Sequence, residues 1–119
     1  MSNLSTGNYG EVLACEYLKK HGYEIIERNY RIRGGEIDII AMDKDYMVFV
    51  EVKTRSSHEY GLPVESMTPW KIKHLLKAAQ FYLLKVEWGN GPYRLDFVSI
   101  DFSDSKTNPR IELIKNITS

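Results

Sequence analysis

Two short segments decide the fold: GEIDIIA at residues 35–41 and FVEVKTR at residues 49–55. Both are rich in isoleucine, valine and phenylalanine, and runs of this kind are typical of buried β-strands. Charged residues nevertheless stand among them, above all Asp38 in the first run and Glu51 and Lys53 in the second. Charged groups are rare in buried strands unless they have a partner or a function. The cluster therefore indicates where the function of the protein resides.

The segment between these strands is short, and a short connection predicts an antiparallel hairpin. With Lys44 and Asp45 as the central turn residues, Asp38 would lie directly opposite Glu51. Because side chains alternate along a strand, Lys53 would share a face with Glu51. Two carboxylates about 5 Å apart repel by roughly 3 kcal/mol at an effective dielectric constant of about 20, and a divalent cation would offset this more fully than Lys53. The alternate positions predict one continuous apolar face, formed by Ile37, Ile39, Ala41, Val48, Val50 and Val52.

The charged cluster has two explanations. The first is an ion-pair network in which Lys53 bridges Asp38 and Glu51 and does nothing else. The second is a functional site, since clusters of ionisable groups with perturbed pKa values often mark such sites. We favour the second, because ion pairs without a function belong on exposed strand faces and a buried pair is seldom better than an apolar replacement.

The rest of the chain predicts a single α/β domain over residues 1–119, with element order α-β-β-β-α-β-β and a mixed five-stranded sheet. Ser5 or Thr6 can cap the first helix and Gly22 can end it, and Thr68 and Pro69 form the start of the second. Residues 54–67 show no clear period, and connections of that length are usually functional or mobile. The predicted helices are residues 5–21 and 69–87, and the predicted strands are residues 23–30, 36–42, 46–53, 93–102 and 111–117.

Composition limits the function classes. Sixteen basic and sixteen acidic residues cancel, so net charge argues neither for nor against a polyanionic partner. The single cysteine, Cys15, excludes an intrachain disulfide and a zinc site built from several cysteines. No secretory signal and no apolar stretch long enough to span a bilayer is present, so we expect a cytoplasmic location without membrane contact.

Glu11 interrupts an apolar helix stripe that includes Ala14, Cys15 and Leu18. A carboxylate in the first turn is often a partner of the helix dipole. On the residues alone, that explanation and a functional one are equally open.

Four blocks in order give a family resemblance: GNYGEVLACEYL at residues 7–18, GYEIIERNYR at 22–31, GEIDIIA and FVEVKTR. Together they resemble the YraN-like family of bacterial proteins, and the match extends through PYRLDFVSI at residues 92–100. Asp38, followed thirteen residues later by Glu51-Val52-Lys53, is similar to the D…ExK signature of the restriction-endonuclease-like, or PD-(D/E)xK, nuclease superfamily. The resemblance implies that superfamily's fold.

The resemblance also implies roles. Asp38 and Glu51 would be ligands of Mg²⁺ or Mn²⁺, with the carbonyl of Val52 a third, and Lys53 would activate water or stabilise charge. Glu11 matches the additional acid that archaeal Holliday-junction resolvases place near their metal. Ile37 stands where the signature has proline, a departure that many members of the superfamily share.

The activity implied is metal-dependent hydrolysis of phosphodiester bonds in DNA, selective for branched, flapped or single-stranded structures. The alternative is a nucleic-acid-binding or adaptor domain with the same fold and little or no turnover. Junction-cutting members of the superfamily act as two-fold dimers, so a homodimer is also open. Gln80 and Glu36 would support the ligands, although Gln80 and its neighbour Lys73 are equally consistent with the surface. The residues expected to hold flanking phosphates are Arg28, Arg31, Arg33, Arg55, Lys71, Lys73 and Lys77.

Other candidates are weaker. His58 is the one histidine placed to visit an active site from the long loop. Asp96 interrupts an apolar strand and would either support the site or point outward. Tyr9, Tyr30 and Tyr60 could stack on bases, but core packing is the better interpretation.

Overall fold

A mixed sheet with one long helix on each face forms the framework of the protein. The computed structural model describes residues 6–57 and 61–118. The helices are α1 (Thr6–Lys20), a short 3-10 helix (Pro63–Ser66) and α2 (Pro69–Lys85), and the strands are β1 (Glu24–Ile32), β2 (Gly35–Asp43), β3 (Tyr46–Arg55), β4 (Tyr93–Asp101) and β5 (Arg110–Ile114). The predicted α/β class and its element order are confirmed, with the strands in the order β1-β2-β3-β4-β5. The β3–β4 pair is parallel and the other pairs are antiparallel, so the sheet is mixed as predicted.

The predicted register of the central hairpin is confirmed. The paired residues run from Asp43 with Tyr46 to Ile39 with Val50. Lys44 adopts a left-handed φ of 57° in the two-residue turn. The regular pairing ends one step before Asp38 and Glu51 would face each other, so both lie where β2 and β3 begin to separate.

Each face of the sheet carries its own apolar cluster. The α1 side contains Ile39, Ala41, Val48 and Val50, with Val52 packed at its edge. The α2 side contains residues from the alternate strand positions and from the helix, namely Ile40, Met47, Phe49, Leu75, Ala78, Ala79, Tyr82, Leu83 and Leu95.

One residue of the predicted apolar face was assigned wrongly. Ile37 is fully buried in the α2 cluster, whereas Ile39 belongs to the α1 cluster. Strict alternation would place both on one side. Ile37 still pairs with Tyr30 of β1, and the exception coincides with the left-handed φ of 55° at Asn29, between the Arg28–Ile39 and Tyr30–Ile37 pairs.

The sequence signals for helix ends hold where the structure describes them. The hydroxyl of Thr68 accepts a hydrogen bond from the Lys71 N–H, and Pro69 opens α2. Gly22 has a φ of 88° just after α1. The long connection is shorter than predicted, because Thr54 and Arg55 still belong to β3 and a 3-10 helix was missed.

Three sequence predictions lie outside the described residues: Ser5 as a helix cap, His58 as an active-site visitor and Tyr60 as a stacking residue. Within residues 6–57 and 61–118, no helix is long and apolar enough to cross a membrane.

Candidate functional site

Asp38 and Glu51 line a common cavity of about 420 Å³ at the end of the β2–β3 hairpin. The Val52 N–H donates a hydrogen bond of 2.8 Å to Oδ2 of Asp38, which fixes that carboxyl group beside β3. Glu51 is only 8% exposed. Val52 and Lys53 line the same cavity, so the D…ExK residues are gathered in one place.

The environment of Asp38 disfavours its negative charge. Burial raises the pKa of its carboxyl group well above its usual range, and the adjacent charge of Glu51 raises it further. The Val52 N–H acts in the opposite direction, and Glu11 adds a smaller increase. The acids around the cavity are therefore electrostatically coupled, and a bound cation would relieve their repulsion.

Lys71 supplies the positive charge nearest to this pair. Its Nζ lies 2.7 Å from Oε2 of Glu51, in a contact that is mostly shielded from solvent. Sequence reasoning gave that bridging position to Lys53, which is exposed and forms no ion pair with any residue that the structure describes. The helix start at Thr68-Pro69 was the available signal, because it places Lys71 in the first turn of a helix that packs over β2.

Glu11 reaches the same cavity from α1. The helix comes very close to β3 at Gly10, where a Cβ atom would lie 1.9 Å from Oγ1 of Thr54. Glu11 follows directly, and its buried Oε1 accepts no hydrogen bond from any residue that the structure describes. The nearest charge is Nη2 of Arg28, at 3.5 Å.

A second, larger cavity of about 620 Å³ shares Asp38, Glu51 and Lys71. It extends along the first turns of α2, where Trp70 and His74 form part of its wall. Sequence reasoning missed both as site residues, since a tryptophan and a histidine four apart in a helix carry no specific signal.

The close approach of α2 to the sheet has a local cause. Gly35 lies under the helix, and a Cβ atom there would be 3.2 Å from the backbone oxygen of His74. A glycine at this point lets the first turns of α2 reach the hairpin end. Trp70, Lys71 and His74 can therefore line the cavity that contains Asp38.

The donor set around the cavity suits a hard divalent cation. Asp38, Glu51 and Glu11 offer carboxylate oxygens, which Mg²⁺ and Mn²⁺ prefer. The unsatisfied Oε1 of Glu11 and the repulsion between Asp38 and Glu51 are two features that a cation would relieve. As the side chains stand, no three Asp, Glu, His or Cys residues in the described ranges are grouped closely enough to hold a metal ion.

The predicted phosphate-binding residues are not equivalent. Arg28 is paired with Glu11, and Arg31 lies 3.5 Å from Glu36 in an exposed pair at the edge of the larger cavity. Three further members of the predicted phosphate-binding set are exposed to solvent: Arg33, Lys73 and Lys77.

Arg55, another predicted phosphate-binding residue, forms hydrogen bonds with other groups of the same chain. Its guanidinium donates to Oδ2 of Asp101 at 3.1 Å and to the carbonyl oxygen of Gly61. Burial alone would raise the pKa of Asp101, but hydrogen bonds from Ser103 and Arg55 outweigh it and lower that pKa to about 2. The pair anchors the end of β3 to β4.

Of the two residues predicted to support the metal ligands, Gln80 bonds to Tyr93 and Glu36 lies at the edge of the larger cavity. The amide of Gln80 donates to the hydroxyl of Tyr93, at the start of β4. Glu36 lines the larger cavity but is exposed and paired with Arg31. Tyr30 packs edge-on against Tyr82, in agreement with the core interpretation.

Asp96 neither supports the site nor points outward. It is fully buried and accepts hydrogen bonds from the hydroxyl of Tyr23, from Nε of Arg94 and from the N–H of Asn116, at 2.8 to 2.9 Å. Arg94 also donates to Asp43 at 2.6 Å. None of these residues is among the described lining of the two cavities. The network is a separate structural feature, nearer the hairpin turn.

Comparison with known proteins agrees with the sequence blocks. Residues 10–100 match the uncharacterised protein family UPF0102. A UPF0102 protein of Dehalococcoides mccartyi is 51% identical over 111 residues, which are 93% of this chain and 90% of that protein. A UPF0102 protein of Clostridium botulinum is 44% identical over 115 residues, 96% of this chain and 94% of that protein. One from Chlorobium limicola is 52% identical over 107 residues, 90% of this chain and 82% of that protein. The chain therefore belongs to the UPF0102, or YraN-like, family.

Proposed function

We propose that the protein is a metal-dependent nuclease that hydrolyses phosphodiester bonds in DNA and selects branched, flapped or single-stranded structures. The observation that carries this proposal is the carboxyl pair of Asp38 and Glu51, which lies in a cavity where β2 and β3 separate. A purely structural fold would gain nothing from a half-buried acid beside a buried one.

The acids would hold the cation. Asp38 and Glu51 would provide ligands from two strands, with the Val52 carbonyl directly after Glu51 on β3 and Glu11 on α1. A carboxylate-bound Mg²⁺ or Mn²⁺ supplies charge neutralisation at the phosphate and at the leaving oxygen, and a more acidic water. The hydrogen bond from the Val52 N–H would keep the Asp38 carboxyl group in place both with and without a bound cation.

Lys53 and Lys71 would have different roles. Lys53 extends from β3 into the cavity wall and is free to orient water or to stabilise negative charge on the phosphate. Lys71 neutralises Glu51 while no cation is bound. On exchange with a cation, Lys71 would be released toward the phosphate of the bound strand.

The second candidate is a nucleic-acid-binding or adaptor domain with little or no turnover. The contact between Lys71 and Glu51 favours it, because an ammonium group already occupies one carboxylate oxygen where a metal ligand is needed. The two candidates differ in whether a divalent cation displaces Lys71.

Cleavage assays separate them. Labelled duplex, flap, four-way-junction and single-stranded DNA are incubated with Mg²⁺ or Mn²⁺ and with wild type, Glu51→Gln or Lys53→Met. We expect structure-selective cleavage by wild type and a loss of at least about a hundredfold in both variants, since removing one electrostatic contributor typically costs that much.

The matched control is Asp104→Asn, which removes an exposed acid that is paired with Arg110 and lines neither cavity. It should cleave like wild type. Binding without cleavage by wild type would reject the nuclease and leave the adaptor. Cleavage that survives Glu51→Gln would assign the activity to a contaminant.

A further inference from the structure

We propose that Trp70 and His74 form a stacking platform for an unpaired base of single-stranded DNA at the mouth of the candidate active site. The role in directing cleavage rests on the proposed function, whereas the binding itself does not. Trp70 is 68% exposed, although it lines the same cavity as Asp38 and Glu51. A large aromatic surface left open beside buried acids is a ready contact for an apolar, planar group.

The platform is held in position before any ligand binds. The His74 ring lies 3.9 Å from the Trp70 ring, centroid to centroid, with a tilt of 32°. Nδ1 of His74 donates a 2.8 Å hydrogen bond to the backbone oxygen of Trp70, one helical turn earlier. Because His74 supports one face of the indole, a base could stack on the exposed side without first ordering the side chain.

The charge around the platform suits a polyanionic strand. Residues 69–85 contain lysines but no aspartate or glutamate. Lys73 and Lys77 are exposed one and two turns along α2 from Trp70, and Arg31, which is paired with Glu36, lines the same cavity. Aromatic rings interleaved with surface cations are the usual arrangement for binding single strands, in which every base offers a face for stacking.

The platform accounts for structure selectivity. In a continuous duplex both faces of each base are covered by its neighbours, so Trp70 could stack only on a terminal or displaced base. In a flap or single strand the base is free, and its phosphate would lie toward Lys71 and the acids. The position of Trp70 therefore favours scissile bonds next to unpaired bases.

The test measures binding without cleavage. Fluorescence anisotropy with labelled oligo-dT, in buffer containing EDTA, is compared for wild type, Trp70→Ala and Phe81→Ala. Phe81 is the matched control, because it is also an exposed aromatic residue of α2 (51%) but lies eleven residues, about 16 Å, further along the helix. We expect about a tenfold weaker affinity for Trp70→Ala, an effect within about twofold for Phe81→Ala, and weaker binding of blunt duplex by wild type.

Tryptophan fluorescence gives an independent readout. The chain has two tryptophans, so Trp88→Phe leaves Trp70 as the sole indole. Oligo-dT should quench that emission, and circular dichroism should show that each variant is folded.

Several results would overturn the platform. They are equal losses for Trp70→Ala and Phe81→Ala, no quenching in Trp88→Phe, or no preference for oligo-dT over duplex. Tighter binding of oligo-rU than of oligo-dT would reject DNA as the substrate class. If wild type binds oligo-dT but cleaves no DNA, the proposed nuclease is rejected and the platform stands. If wild type cleaves DNA and Trp70→Ala changes neither binding nor cleavage, the platform is rejected and the nuclease stands.

Discussion

Asp38 lies where the regular pairing of β2 with β3 ends, and its carboxyl group is held by the N–H of Val52. The same residue is half-buried beside Glu51, and the pKa of its carboxyl group is raised first by burial and then by the charge of Glu51. One side chain thus combines a fixed position with a disfavoured charge. Without a bound cation the disfavoured charge lowers the stability of the fold, whereas with a cation the fixed carboxyl group is a ligand already in position.

The raised pKa of Asp38 predicts a pH-dependent stability. Below about pH 4 the carboxyl group is protonated in both the folded and the unfolded state, so it contributes nothing. As the pH rises above that value, the unfolded chain releases the proton while the folded protein retains it. The free energy of unfolding should then fall by up to about 1.4 kcal/mol per pH unit until the folded carboxyl group ionises.

Urea unfolding of wild type and Asp38→Asn over a pH series reports on Asp38 and the acids that interact with it, because groups that do not interact with Asp38 cancel in the difference. We expect Asp38→Asn to become progressively more stable than wild type above pH 4. Mg²⁺ should reduce the difference, since a bound cation stabilises the charged carboxylates. Parallel curves for the two proteins would show that Asp38 ionises as freely as it does in water.

At the scale of secondary structure, two helices converge on the site through glycine contacts. Gly10 lets α1 approach Thr54 of β3, and Gly35 lets α2 approach the β1–β2 turn. Glu11 and Lys71 reach the cavity from opposite helices as a result. The positions of these groups therefore depend on how closely each helix packs on the sheet.

Gly10→Ala should cost different amounts of stability in two backgrounds. Alanine is favoured over glycine inside a helix by about 1 kcal/mol, but in wild type its Cβ would meet Oγ1 of Thr54 at 1.9 Å. Overpacking of this kind typically costs about 1 to 3 kcal/mol, so we expect a net loss of stability and a displaced Glu11. In a Thr54→Ala background Oγ1 and Cγ2 are absent and only a 3.1 Å contact with Cβ of residue 54 remains, so the same change should cost much less.

The measurement is a double-mutant cycle of urea midpoints for Gly10→Ala and Thr54→Ala, with cleavage assayed in parallel. An equal loss in both backgrounds would mean that the contact with Thr54 does not limit the approach of α1.

For the molecule as a whole, local sequence signals predicted the framework and much of the cluster. The turn at Lys44 and Asp45 was enough to give the hairpin register, because a two-residue turn leaves little freedom in pairing. It could not give the side of Ile37, since that exception to alternation coincides with the left-handed backbone at Asn29 of the neighbouring strand, which no residue pattern in β2 indicates. Nor could it give the contact of Lys71 with Glu51, which depends on how α2 packs across the sheet.

The buried charges around Asp96 and around Glu51 differ in how fully they are paired, and this difference predicts separate effects on stability and activity. Asp96 has three hydrogen-bond donors, Tyr23, Arg94 and Asn116, whereas Glu51 has the half-exposed Lys71 as its partner and also faces another acid. Arg94→Met would leave the fully buried Asp96 without its cation, which typically costs about 3 to 5 kcal/mol. Glu51→Gln removes a repulsive charge and should cost little or even stabilise. Urea unfolding should therefore show a large loss for Arg94→Met alone, while cleavage per folded molecule falls only for Glu51→Gln. If Glu51→Gln proved the more destabilising of the two, the acids at the hairpin end would belong to the structural framework.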